Sequence, residues 1–580
     1  MRELLMERRN FLSMGKVIGR NIQEIGSLFQ RTGLLFSGKS IAVLLLICFM
    51  VLNLQAQRIP SEKPKLIVGI TVSGMRYDYL SAYWDTFGDK GFRRMAGMGT
   101  YCKNARYDQL ITESAVGYAI IGTGTRADAH GIVADYWYER VAGEIRHCVE
   151  DPNVRGLTGS DENGHTSPSA MLSRTLSDEL RIISQFKSKV IGVSIDPKAS
   201  VLQSGHTANG AYWYDPEHGM WTTSSYYIDS LPAWVEELNA KNYKDIYREK
   251  IWEPLLPIGE YTASMLDNNP YETGFNGQIT FPYNLTKIGD GSRRKDYSVL
   301  MTTPFGNTYT KDFAISAIVN EELGLHGVTD WINISFNTTK YLSERFSTWS
   351  VEVQDMYLRL DQDIAHLLES LDDQVGLENT LIYLTADQAH ADDPGYLAEN
   401  RVPSGEFNSR ATVSLLRSYL NAVYGQGDWV QLYYANQVYL NRRLIEDSRL
   451  SLEEVQERVA SFLIQFSGVS NALPAYVLER NNFTEGIFHR IQNSYNQKRS
   501  GDVIVYLTPG WVEKQNDGVA MLPGFRYDAH VPLIFYGWKV KRATLPERVS
   551  PLDIVPTIAY YLELSVPENA SGSVIPGMVR

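Results

Sequence analysis

Ser114 is the residue whose type and setting are best suited to chemistry. It stands in Thr112-Glu113-Ser114-Ala115-Val116-Gly117-Tyr118, just ahead of the Gly-rich apolar run AIIGTGT. At the start of a helix, a serine has free backbone N–H groups and the positive end of the dipole beside it. That setting suits attack on an anionic ester. It equally suits a serine that only caps the helix. Four other polar clusters follow apolar runs directly: Ser73-Gly74, Asp196-Pro197-Lys198, Asn337 to Lys340, and Asp387-Gln388.

The elements that must position these groups are legible as runs of β-favouring residues. Residues 65–72 (KLIVGITV), 190–195, 331–336, 380–384, 503–507 and 531–536 read as buried strands. Continuous apolar strands between polar turns imply a mostly parallel sheet covered by helices on both faces, an α/β fold. Between two of them, Tyr357, Leu360, Ile364, Leu367, Leu368 and Leu371 recur at helical spacing, with Ser350 as N-cap and Glu352 and Asp355 in the first turns. Strand, helix, strand makes a βαβ unit. In such sheets ligands bind beyond the carboxyl ends of the strands, where the four polar clusters fall. Residues 397–498 are helical and Tyr-rich and read as a cap inserted between core strands.

The segments VGITVSGMRYDYL, TESAVGYAIIGTGTRADAHGIVADYWYER, SGHTANGAYWYD, SVEVQDMYLRLDQD, LIYLTADQA, YNQKRSGDVIV and YDAHVPLIFYG occur in this order. Together they closely resemble the phosphate-irrepressible, type I phosphodiesterase-like alkaline phosphatases of the alkaline phosphatase superfamily, over about residues 63–580. The resemblance implies an alkaline-phosphatase-like fold and a zinc-dependent phosphomonoesterase, periplasmic or surface-exposed, with a Thr or Ser nucleophile and two Zn²⁺ ions. It places the nucleophile on Ser114. The ligand positions of one metal fall on Ser73, Ser114, Asp387 and Gln388. Those of the other fall on Lys340, Glu344 and His530. The phosphate-contact positions fall on Asp135, Asp196 and Lys198.

Zinc takes three or four N, S or carboxylate donors. An ammonium such as Lys340 repels the cation, and Ser73 and Gln388 are neutral, weak donors. Only Asp387 and His530 stand as strong ligands on this reading, with Glu344 in support. Asp135 and Asp196 would repel a phosphate dianion. The expectation from the sequence is therefore a pseudophosphatase with a degraded zinc site and no cofactor, binding an envelope protein or small ligand. The alternative is an active phosphate-ester hydrolase that uses Ser114 and an altered zinc site. A carbohydrate-binding module is a third reading, resting only on 35 Tyr and 11 Trp. Lys340 is expected to stand within about 4 Å of Asp387 as a replacement counter-charge. His130 and His206 read as fold-supporting, and His390 as a substitute ligand that would need a loop rearrangement.

Bulk properties narrow the rest. With 580 residues, 44% hydrophobic and 21% charged, the chain suits a large globular α/β domain and not a disordered one. The net charge of −12, with no basic stripe, argues against a nucleic-acid partner. Residues 1–56 read as a preamble and signal peptide, with the apolar run 41–52 as its core and cleavage after Ala56. A signal anchor, or a later start at Met14, is the other possibility. Residues 57–580 form the phosphatase-like domain, with no membrane span in the mature chain. The chain is expected to be exported to the periplasm or outer surface of a bacterium, where Cys102 and Cys148 would pair as a disulfide.

Overall fold

A computed structural model describes residues 62–578 apart from 112, 159–163, 289–296, 515–519 and 522–528. The expected leader, 1–56, lies outside the described residues. The strand-forming runs assemble a ten-stranded sheet around five parallel strands, in the spatial order Thr380–Thr385, Leu66–Val72, Asp330–Phe336, Val190–Ser194, Gly210–Asp215. Every residue of Leu66–Val72, Asp330–Phe336 and Thr380–Thr385 is buried. Successive side chains point to opposite faces, so both faces are covered.

Register sets the level at which the polar clusters emerge. Val72 lies opposite Phe336, Thr71 opposite Thr385, and Ser335 opposite Ser194. Ser73, Asn337, Asp196 and Asp387 therefore leave their strands at one edge of the sheet. The helix Val351–Gln374 runs back between two core strands, and Ser350 caps it by accepting from the Val353 amide at 3.1 Å.

Two expected strands depart from the parallel core. Ile534–Gly537 joins the main sheet but pairs antiparallel with Thr380–Thr385. Val503–Leu507 lies in a separate four-stranded sheet with Val430–Tyr434, Gln437–Leu440 and Val469–Pro474. An apolar run shows that a strand is buried; it does not show the strand's direction or its sheet. The smaller sheet and the helices Ser409–Tyr424 and Leu452–Leu463 share their own apolar cluster, which includes Leu416, Leu420, Val455, Val459 and Val505. The disulfide expectation is also corrected. Cys102 and Cys148 are free and buried, and each packs in a different apolar cluster. No helix among the described residues is long and apolar enough to cross a membrane.

Candidate active site

Ser114 begins the helix Ser114–Thr123, whose ten residues are all buried. Close packing against the end of strand Thr380–Thr385 fixes this helix. A Cβ on Gly117 would lie 2.1 Å from the Asp387 carbonyl oxygen, so only glycine allows the approach. The serine is thereby held beside the Asp387-Gln388 cluster.

Three elements converge on the serine hydroxyl. Lys340 Nζ, from the helix Thr338–Phe346, donates to Ser114 Oγ at 3.0 Å. Gln388 Nε2 donates to the same oxygen, also at 3.0 Å. The Asp387 carboxylate faces the hydroxyl as well. It is 1% exposed and accepts from Ser73 Oγ at 2.8 Å, Gly74 N at 3.0 Å and Gln388 N at 3.0 Å. Behind it, Tyr118 OH donates to Ser73 Oγ at 3.1 Å, and Asn337 Nδ2 donates to Tyr118 OH at 2.6 Å.

A second group of charges lies beside the helix start. Asp135 Oδ1 accepts from the Ala115 amide at 3.1 Å, and its Oδ2 accepts from Lys198 Nζ at 2.7 Å. Lys198 Nζ also lies 3.5 Å from Asp196, which caps its own helix and accepts from Tyr341 OH at 3.0 Å. Glu113 accepts from the Asp135 amide at 2.7 Å and from Tyr434 OH, of the smaller sheet, at 3.4 Å.

The electrostatics follow from burial and these pairings. Burial works against the Lys340 and Lys198 ammonium groups. Glu344 and Asp135 nevertheless hold Lys340 above its ordinary pKa, and Asp135 and Asp196 hold Lys198 well above. Burial raises Asp387, against the opposing pull of Lys340. Burial also opposes the Asp135 charge, yet Lys198 and Lys340 keep this carboxylate below its usual range. Glu113, buried and next to Asp135, is pushed up to about 7.

The structure thus brings together Ser73, Ser114, Lys340, Gln388 and Asp387, and beside them Asp135, Asp196 and Lys198. Glu344 joins through Lys340 at 3.8 Å. The expected Lys340–Asp387 ion pair is replaced by contacts to Ser114 and to Glu344, which stands four residues on along the same helix. His530 goes elsewhere: its ring stacks on Tyr77 at 4.0 Å, and its Nε2 meets the Lys103 carbonyl at 2.9 Å. His390 is buried against Gly74, and burial with Lys340 and Arg76 pushes it down to about 3, which keeps it neutral. His130 and His206 bond to nearby backbone, at the Ile132 amide and the Met171 carbonyl. Glu113, Tyr118 and Tyr434 were missed. For Tyr434 no local signal exists, since 321 residues separate it from Glu113.

These donors do not fit a zinc pair. Both oxygens of the Asp387 carboxylate already accept hydrogens from the protein, and an ammonium stands on the serine. Among the described residues no group of three or more His, Cys, Asp or Glu side chains could hold a metal ion.

The type I phosphodiesterase/nucleotide pyrophosphatase family matches residues 67–529, and the chain belongs to that family. It is 34% identical to alkaline phosphatase PafA of Elizabethkingia meningoseptica, covering 89% of this chain and 95% of that protein. It is 34% identical to alkaline phosphatase PhoV of Synechococcus elongatus, covering 89% and 93%. A protein of Myroides odoratus named as a calcium-transporting ATPase is 36% identical over 93% of this chain and 98% of its own length. The crystal structure of wild-type PafA superposes with a TM-score of 0.86 at 34% identity, covering 89% of this chain and 99% of that one.

These findings correct the expectation of a pseudophosphatase with a scaffolding role: the replaced ligand positions are not a sign of a degraded, abandoned site. Relatives matched almost end to end are named as alkaline phosphatases. The geometry supplies the physical reason. The residues that looked like lost ligands form an ordered hydrogen-bonded shell around a buried serine.

Proposed function

We propose that the chain is an exported phosphate-ester hydrolase with Ser114 as its nucleophile. One observation carries the reading. Ser114 Oγ, at a helix N-terminus, receives hydrogen bonds from Lys340 and Gln388 at 3.0 Å each while Asp387 faces it. Two donors on one hydroxyl favour its alkoxide form, and a neighbouring carboxylate can accept the proton. The family membership and the relatives' names support the same reaction class.

In the proposed reaction, Ser114 Oγ forms a bond to phosphorus as its proton passes to Asp387. The P–O bond to the alcohol breaks, and that oxygen leaves with the electron pair and takes a proton from water. Lys340 faces the charge that develops on the phosphoryl oxygens. A water oxygen then bonds to phosphorus as the bond to Ser114 Oγ breaks; the serine oxygen takes its proton back from Asp387, the proton lost by the water neutralises the hydroxide left by the first step, and phosphate is released. Nothing in this sequence is routed through a metal. The substrate is a small phosphorylated molecule outside the cytoplasm.

The test is turnover of a chromogenic phosphate monoester and diester by wild type and Ser114→Ala, with metal content measured on the same sample. The expected result is turnover of at least one ester, reduced by about 10³-fold or more in Ser114→Ala. Turnover of neither ester, or an equal rate in the variant, would refute the proposal.

A further inference from the structure

The place where a phosphoryl group would meet the helix start is already held by a carboxylate of the protein. Asp135 is 7% exposed. One of its oxygens takes the Ala115 amide at 3.1 Å, and the other takes Lys198 Nζ at 2.7 Å. An N-terminal amide and a buried ammonium are the two donors that an anion would seek beside Ser114. Asp196, 3.5 Å from the same ammonium, and Glu113, which accepts from the Asp135 amide, place two more carboxyl groups next to it.

We propose that Asp135 is a specificity-determining residue that selects by charge. It occupies the anion seat of the pocket, so the site disfavours phosphoryl groups carrying two negative charges relative to those carrying one. This rests on reading the pocket as a phosphoryl site, and it adds a residue and a rule for what the site admits. A monoanion needs to share the amide and Lys198 with one carboxylate. A dianion meets that carboxylate with twice the charge, in a buried setting where water screens poorly. Burial opposes the Asp135 charge, but Lys198 and Lys340 keep it ionised, so Asp135 remains a competitor at neutral and alkaline pH.

The experiment compares wild type with Asp135→Asn, which preserves shape and can still accept from the Ala115 amide. Calorimetric Kd values are measured at pH 8.5 for inorganic phosphate, predominantly the dianion, and for dimethyl phosphate, a monoanion. Asp135→Asn should tighten phosphate at least ~10-fold and dimethyl phosphate less than ~3-fold. A thermal melt checks folding. If the asparagine variant does not fold, Asp135→Ser removes the same charge, keeps an acceptor near the amide, and should give the same ordering. Unchanged or weaker phosphate binding, an equal gain for both anions, or no phosphate binding by the variant would overturn the proposal. Turnover is not read here. A hydrolase test that fails at Ser114 would therefore leave the binding result standing, and the two failures can be told apart.

Discussion

Lys340→Met removes the cation at the centre of the site while keeping its bulk. The ammonium is buried, donates to Ser114 Oγ at 3.0 Å and stands 3.8 Å from Glu344. It also opposes the upward push that burial gives the Asp387 pKa. Losing a charged hydrogen bond costs about 1.5–3 kcal/mol, and breaking a buried ion pair by removing one partner costs about 3–5 kcal/mol. Proton uptake by Asp387 or Glu344 relieves part of this, so a net loss of about 2–4 kcal/mol is expected at pH 8. At pH 5 the carboxyl groups, freed of the cation, take up protons more readily, and the loss should shrink. The assay is denaturant unfolding of wild type, Lys340→Met, Glu344→Gln and the double variant at both pH values. The double variant should recover a large part of the single-variant loss, because the two side chains interact directly. Ester turnover should also fall by about 10²-fold or more, the scale on which a single donor at developing charge is felt. Lys340→Met within about 0.5 kcal/mol of wild type at pH 8 would refute the reasoning, since a buried cation among carboxylates cannot be removed for so little.

A buried acid cluster away from the site gives a prediction with a definite pH sense. Burial, with Glu352 nearby, pushes Glu272 up to about 10, and burial pushes Glu352 up to about 8. Folded-state values above the unfolded ones mean that this stability is fully present below about pH 4 and is lost as pH rises through 8 to 10. Glu272→Gln, which cannot ionise, should flatten the fall in stability between pH 6 and pH 9; a variant that falls as steeply as wild type would contradict this. The two buried thiols give the other. Burial pushes Cys102 up to about 12 and Cys148 well above its ordinary value. Neither should react with a disulfide reagent in the native protein at pH 8, and both should alkylate after unfolding without reductant; a linked 102–148 peptide pair would contradict the structure.

What could be read in the sequence divides along physical lines. Strand positions were legible because a strand buried on both faces must be apolar throughout, as Leu66–Val72 and Thr380–Thr385 are. The level of Ser73, Asp196, Asn337 and Asp387 at one sheet edge followed from that. Strand direction at Ile534–Gly537 was not legible, since hydrogen-bond pattern leaves no mark on an apolar run. Nor was the contact of Tyr434 with Glu113, which depends on where the smaller sheet packs. The more instructive misreading concerns Lys340 and Gln388. Judged one position at a time, an ammonium and an amide are failed metal ligands, and the site looked abandoned. Judged together, they are two N–H donors on one serine oxygen, braced by a carboxylate that three further N–H and O–H groups hold in place. Residue type reports which role a side chain has lost. Only the distances show which role it has taken up, because a buried polar group must find a partner and the partner it finds defines the site.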